Sequence, residues 1–537
     1  MDFVFEPLAL YVGVTGHRDI PAQHAPALER AVSGVLSEIQ AQYPHCTLTV
    51  LSPLADGADR LCARAAVEAG LRLVVPMPMA ADEYKKDFDD ESNREFDELC
   101  GRADRTFAVP APQNESAARG EYYRGVGKYV AEHSHILIAL WDGRETLFPE
   151  GGGTFETIKF ARERDRTVCV IDTPRPGDAF RETKPVVPVD GRIAVVNDLY
   201  GDVAAHGQEM AEMTAAARAD FLDGEAEKSI APGARRIMDA FLCADALAVK
   251  NRDRKLRALQ ALSALGLLMV LAFLLYDELE SNLMLFVYGG LIILSFAVYM
   301  LAVRRRVHRK YITMRAIAEA LRIQFYWGLC RISDSVFDSY TFTQKEELGF
   351  VETLLLSLQE ELARFDTVMP ERGRALWLRG QLDYHISSEA KKSKREARNK
   401  KAAKTMLALS IALFVLVAVM ELFFKNALES ELPVQGIRGF LLMHDGAIIW
   451  RGILKILLGT ISAGTAFLAN YYGNLALPQQ IFFDKRMNAL FEQAVRTESA
   501  DGERFEETMR TTGAEALIES AGWYILQRDN GPGLFIG

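Results

Sequence analysis

The chain has 537 residues, 49% hydrophobic and 25% charged, with a formal net charge of −10. That length allows two or three domains with a sizeable core, and the acidic balance argues against a nucleic-acid polymer as partner. The six cysteines form no CxxC and no zinc-ligand spacing, as expected of buried thiols in a reducing compartment. In chain order, short β-rich apolar runs at 10–14, 47–51, 71–76, 105–109, 135–141 and 167–171 alternate with helical patterns, notably 57–70, 122–134 and 154–164. Alternation of this kind predicts an α/β domain over about 1–200, built on a parallel sheet with helices on both faces. Ligands of such sheets sit beyond the carboxyl ends of the strands.

Three predicted strand ends carry informative loops. The first runs into Gly13, Val14, Thr15, Gly16, His17, Arg18 and Asp19, where glycines admit a ligand close to the backbone and Thr15, His17 and Arg18 offer polar contacts. The second leads through Ser52 and Pro53 to Asp56, Gly57, Ala58, Asp59 and Arg60 at a helix start, where free N–H groups favour a phosphate. The fifth leads through Trp141, Asp142 and Gly143 to Gly151, Gly152, Gly153, Thr154, Phe155 and Glu156, again a glycine turn into a helix start. One such loop is ordinary turn chemistry; three on one sheet edge point to ligand binding.

A helical linker, 201–257, precedes four apolar runs. Runs 258–276 and 282–303 hold no charged residue and form a hairpin. Runs 405–424, interrupted by Glu421, and 453–472, with Lys455 inside it, form a second. About 20 apolar residues cross a bilayer, so an α-helical transmembrane domain of four spans is expected. Lys250, Arg252, Arg254, Lys255 and Arg257 precede the first run; Arg304, Arg305, Arg306, Arg309 and Lys310 follow the second. Lys394, Arg395, Arg398, Lys400, Lys401 and Lys404 precede the third. The positive-inside rule puts all three clusters in the cytoplasm. Both termini, the long helical segment 304–404 and the tail 473–537 are then cytoplasmic, and only loops near 277–282 and 425–448 face outward. No basic stretch with an apolar core opens the chain, so no cleaved signal peptide is expected.

The two hairpins read as a repeat, each preceded by a basic helix and followed by an amphipathic one, at 310–325 and 481–495. Leu348, Val351, Leu355, Leu358 and Leu362 make a short heptad seam, which serves either an oligomer or packing within the chain. In the fourth run Ser462, Thr465, Ala469 and Asn470 form the less apolar side, and Gly459, Ala463 and Gly464 allow close approach, so this helix is expected to line a pore or pack against neighbours. Glu421 is a functional candidate or an interfacial residue. Asp87, Asp89, Asp90 and Glu91 read as a solvated helix end rather than a metal site, and His133 and His135 as structural. Arg175 closes the edge after the sixth run.

The strings GVTGHRD at 13–19, ADGADRL at 55–61 followed by AGLRLVVPMP, and ALWDG then GGGTFE ending at 156 resemble the SLOG superfamily over about 8–200. That Rossmann-like group includes the LOG nucleotide phosphoribohydrolases, the DNA-processing protein of natural transformation and the sensor domains of TRPM-type channels. The membrane half resembles the SLATT group of bacterial modules, here duplicated. Together the resemblances imply a multi-pass plasma-membrane effector of a bacterial conflict or antiviral system. It would sense a nucleotide-derived second messenger, use no cofactor, form or gate a pore and assemble with copies of itself in lipid. LOG hydrolases carry PGGxGTxxE, with the final glutamate catalytic. Here the third position after Thr154 is Thr157, and Glu156 falls one place early. Glu156 remains suited to holding a ribose hydroxyl, and either Arg119 or Arg124 stands where the family has an upstream arginine. Losing a transition-state group costs turnover more than binding, so a sensor is expected; the alternative is a membrane-anchored nucleotide N-glycosidic hydrolase with Glu156 catalytic.

Overall fold

The computed structural model describes residues 6–112, 118–145, 152–173, 185–222, 224–279, 282–433, 447–497 and 502–529. The chain divides into two compact units. The first comprises Met1–Ala215, Ile230–Asp239 and Lys345–Asp366, the second Ala216–Ser229, Ala240–Gln344 and Thr367–Gly537.

The first unit is built on a six-stranded, wholly parallel sheet: β1 (Ala9–Gly16), β2 (Thr47–Leu51), β3 (Arg72–Met77), β4 (Arg105–Ala108), β5 (Ile136–Trp141) and β6 (Thr167–Asp172). The spatial order is β4-β3-β2-β1-β5-β6. This is the Rossmann-like α/β arrangement the alternating runs predict. Order ascends on one side of β1 and jumps to β5 on the other, which makes the carboxyl ends of β1 and β5 the topological switch point. The strands read as continuous apolar runs because both faces are covered. On one face Leu10, Val12 and Val14 join a core with Leu28, Val32, Val35, Leu36 and Ile39 of α1 (Ala25–Gln42). Tyr11, one residue out of phase, packs on the other face with Leu51 and Val74. Around them lie α2 (Ala58–Glu68), α3 (Ala81–Tyr84), α4 (Asp90–Arg102), α5 (Arg119–Glu132), α6 (Thr154–Glu163) and α7 (Gly191–Ala205).

The heptad leucines serve packing within this unit. Leu348, Val351, Leu355 and Leu358 are buried, on helices Gly349–Ser357 and Gln359–Ala363 and their junctions, and the first of these helices touches β1 and α7. His135 anchors that contact. Its Nδ1 accepts from the Tyr11 amide at 3.0 Å, so the proton sits on Nε2, which donates to Thr353 O at 3.0 Å. Burial first of all holds His135 down at about 4, so it is neutral and structural, as read. Arg166, whose side chain is 7% exposed, pairs with Glu352 at 2.8 Å.

The second unit is helical. Among the described residues the chain has four helices long and apolar enough to cross a membrane, within 232–278, 282–329, 370–423 and 450–496, and their apolar segments lie in this unit. Their large side chains stay uncovered: Phe286, Ile293 and Leu422 are each more than 70% exposed, which lipid rather than water accommodates. The fourth apolar segment, Trp450–Leu475, packs against the first and the third. Gly459 admits Leu274, Gly266 admits Phe467, and Gly464 lies against Met406 and Leu267. Gln260 donates to the Tyr471 hydroxyl at 3.2 Å, and Ser410 and Ser462 share a hydrogen bond of 2.7 Å. The second span meets the first through Phe273 and Tyr288. These pairings run the first and third spans one way and the second and fourth the other, so all three basic clusters fall at one end of the bundle.

Both hairpins leave that end in the same way. Asn282–Arg304 and Val307–Leu329 are separated by a bend with Arg306 at φ 48°, ψ 34°. Trp450–Leu475 and Leu477–Arg496 are separated by Ala476 at φ 49°, ψ 38°. Each left-handed residue is followed by a buried aliphatic, Val307 and Leu477. The two bends thus match in backbone conformation and in the residue type that follows them.

Candidate functional site

The loops after β1, β2 and β5 meet at the switch point, and close packing of backbone explains their glycines. A Cβ on Gly16 would lie 2.3 Å from Ala58 Cβ and 2.9 Å from Leu140 Cβ, so only glycine lets α2 start against β1 and β5. Gly57 has φ +80°, and a Cβ there would fall 2.2 Å from Arg18 O; next to it the Ala58 amide donates to His17 O at 3.1 Å. A Cβ on Gly13 would strike Ser134 Oγ at 2.7 Å. These glycines hold the loops together, a role distinct from the close ligand approach read from the sequence.

The polar side chains divide into two groups. His17, Arg18, Asp142, Arg124 and Glu156 gather at the carboxyl ends. His17 Nε2 lies 3.3 Å from Asp142 Oδ1, and the Asp142 amide donates to the same nitrogen at 3.3 Å. The Arg18 guanidinium stacks 4.8 Å from the Tyr123 ring centre. Arg124 pairs with Glu156 at 2.9 Å, and the other Glu156 oxygen accepts from the Gly152 amide at 2.8 Å. Gly152, at φ +81°, passes so close to Tyr123 that a Cβ would sit 2.9 Å from that residue's own Cβ. Gly153 caps α6, with Thr154 buried behind it and Thr157 Oγ donating to Gly153 O at 3.2 Å. Thr15, the penultimate residue of β1, is buried as well.

The second group is absorbed by the fold. Arg60 is 1% exposed. Its Nε donates to Leu54 O at 3.0 Å, and its Nη1 donates to Ser92 O at 2.8 Å and pairs with Asp56 at 2.9 Å, while the guanidinium covers Phe88. Asp56 also accepts from the Ser92 hydroxyl. Asp59 accepts from the Ala55 amide at 3.3 Å, and burial pushes its carboxyl up to about 7 against the pull of that amide, Arg18 and Arg60. Asp56 and Arg60 therefore shape the floor of the loop cluster, and Asp59 is its titratable buried group.

Of the two arginine candidates, Arg124 stands at Glu156, whereas Arg119 pairs with Glu83 at 2.9 Å and Asp87 at 2.8 Å. Tyr123, which the sequence reading passed over, links three parts of the cluster: it touches Arg18 and Gly152 and hydrogen-bonds Asp87. Its only signal was its place beside Arg124. Asp89 caps α4 by accepting from the Glu91 and Ser92 amides at 3.1 and 2.8 Å, as a helix end should. Pro149, Glu150, Gly151 and Arg175 lie outside the described residues, as do 434–446 of the outer loop.

In the membrane segments Gly459, Gly464 and Ser462 are spent on contacts within the chain. Thr465 Oγ donates to Ile461 O at 2.9 Å, and Asn470 accepts from Asn474 at 2.8 Å. Glu421 accepts from Arg451 at 3.1 Å, and Lys455 pairs with Asp277 at 2.6 Å and Glu278 at 2.5 Å.

No protein-family model matches the chain, and no curated protein matches it. Among solved structures, DNA processing protein A (DprA) from Streptococcus pneumoniae is similar, with 20% sequence identity and a TM-score of 0.23. The match covers 32% of this chain and 52% of that one, so the chain spans about half the length of that protein. The Rossmann-like assignment stands on the strand order alone.

Proposed function

We propose that the chain is a nucleotide-sensing membrane effector. A nucleotide or nucleotide-derived second messenger binds at the switch point; the membrane helices, in a homo-oligomer in the plasma membrane, form or gate a pore. Such a device suits a bacterial antiviral or conflict system, with both termini cytoplasmic and the membrane half a duplicated SLATT-like module. The observation that carries this reading is the joining of all three loops at the carboxyl ends of β1, β2 and β5, with Arg18, Arg124 and His17 together there. Cations beside two helix starts suit a phosphate-bearing ligand. Glu156 is held by Arg124 and the Gly152 amide, and Thr157 occupies the place of the family's catalytic carboxylate. Both points support binding without turnover. A ligand shifts the membrane part only through unequal affinity for its two states.

The same Arg124–Glu156 pair supports the second reading, a membrane-anchored nucleotide N-glycosidic hydrolase. Calorimetry of the full chain in detergent against mono-, di- and cyclic nucleotides tests the sensor. One class should bind, and Arg18→Ala or Arg124→Ala should weaken it about tenfold or more, the worth of a charge-assisted hydrogen bond. No binding, or binding untouched by both variants, would overturn it. Base release that vanishes in Glu156→Ala would favour the hydrolase.

A further inference from the structure

The two ends of the membrane bundle treat their charges differently. At one end Glu421, Arg451, Lys455, Asp277 and Glu278 are all satisfied by one another. At the other end lie the basic stretches around 250–257, 304–310 and 394–404, where Arg304, Arg305, Arg306, Arg309, Arg398, Lys401 and Lys404 are exposed. Within that basic rim Lys255 is half-buried on the helix that becomes the first span. Its ammonium lies 5.9 Å from the Tyr311 ring centre, and it has no carboxylate within ion-pair distance among the described residues. On the helix after the second span, His308 donates from Nε2 to Gln527 O at 2.7 Å. Its Nδ1 is buried with no hydrogen-bond partner among the described residues.

An unpaired ammonium and an unpartnered imidazole nitrogen beneath a basic rim, one turn from the start of the apolar run, make a seat for an anion at bilayer headgroup depth. Half-burying a cation without a carboxylate beside it is costly, and a phosphate ester satisfies both groups: it pairs with Lys255 and accepts from His308 once Nδ1 takes a proton. Nearby carboxylates do not compete for the seat, since Glu319 is held by Arg315 and Arg322 at 3.2 and 2.9 Å and Asp253 by Arg252 at 3.0 Å. We propose that Lys255 and His308 form a binding site for the phosphate of an anionic phospholipid headgroup, between the first span and the helix that follows the second, with the exposed arginines as its rim.

The test reconstitutes the full chain in phosphatidylcholine vesicles with and without phosphatidylglycerol, reads insertion by flotation, and counts retained lipid by native mass spectrometry after detergent extraction. Phosphatidylglycerol should be retained over phosphatidylcholine. Lys255→Gln or His308→Asn should cut that preference about fivefold, the usual worth of one basic residue at an anionic surface. Lys255→Arg should restore it, and Lys425→Gln, at the opposite end, should leave it unchanged. Unaltered phosphatidylcholine retention and helical circular dichroism keep misfolding apart from loss of the site. Competition by soluble glycerol phosphate at concentrations matching the lipid would make the ligand a free phosphate ester and overturn the lipid assignment. Equal retention of the two lipids, or an undiminished preference in both variants, would overturn the site.

Discussion

Residue by residue, the chain separates groups that hold the fold from the charged groups gathered at the switch point. His135 shows the first kind. Its ring accepts from one strand and donates to the returning helix, and burial keeps it neutral down to about 4. Because its folded value lies below the unfolded one near 6.5, the stability it contributes is full above about pH 6.5 and is lost as pH falls toward 4. A shift of that size is worth on the order of 3 kcal/mol. Thermal unfolding of the detergent-solubilised chain should therefore show a melting temperature that drops between pH 6.5 and 4. His135→Phe should be less stable at pH 7.5, through the orphaned Tyr11 amide, and should lose that part of the slope. A variant with the wild-type slope would place the titration elsewhere. Gly16 and Gly57 belong to the same kind: they read as ligand-facing in the sequence, and their tightest neighbours are Ala58 and Arg18 of the chain itself. Nothing local in a GVTG or ADGAD string distinguishes a glycine that admits a ligand from one that admits another loop.

The strands were legible because buried parallel strands are runs of β-branched and aliphatic residues, and β2 falls where its run predicts. The apolar spans were legible for a related reason, since length without charge has few uses outside a membrane. What escaped was long-range packing. The return of Lys345–Asp366 to the sheet leaves only a heptad-like spacing, which an oligomer would share. The Arg124–Glu156 pairing likewise joins two helices, α5 and α6, that no local pattern aligns. The paired bends at Arg306 and Ala476 were invisible too, because neither is glycine. A left-handed non-glycine residue costs about 1–2 kcal/mol. Ala476→Gly should thus raise the melting temperature of the solubilised chain, and Ala476→Val should lower it. If the valine variant melts with the wild type, the bend is not held as described.

The whole molecule carries a Rossmann-like unit with a charged cluster at its switch point and, among the described residues, four membrane-length helices, of which the fourth packs against the first and third. A simple anchor would need fewer spans, and the small and hydroxylated residues of the fourth helix are spent on contacts to two neighbours. A ligand could act on such helices only by favouring one of two packings over the other. On the proposed function, occupancy of the switch point changes the membrane helices. The most direct measurement is dye release from sealed vesicles carrying the purified full chain, with a panel of nucleotide second messengers added to the face that exposes the first unit. Release should depend on one class of nucleotide and be lost in Arg18→Ala and Gly153→Asp, while both variants still insert. Release independent of every nucleotide, or unchanged in both variants, would contradict the account.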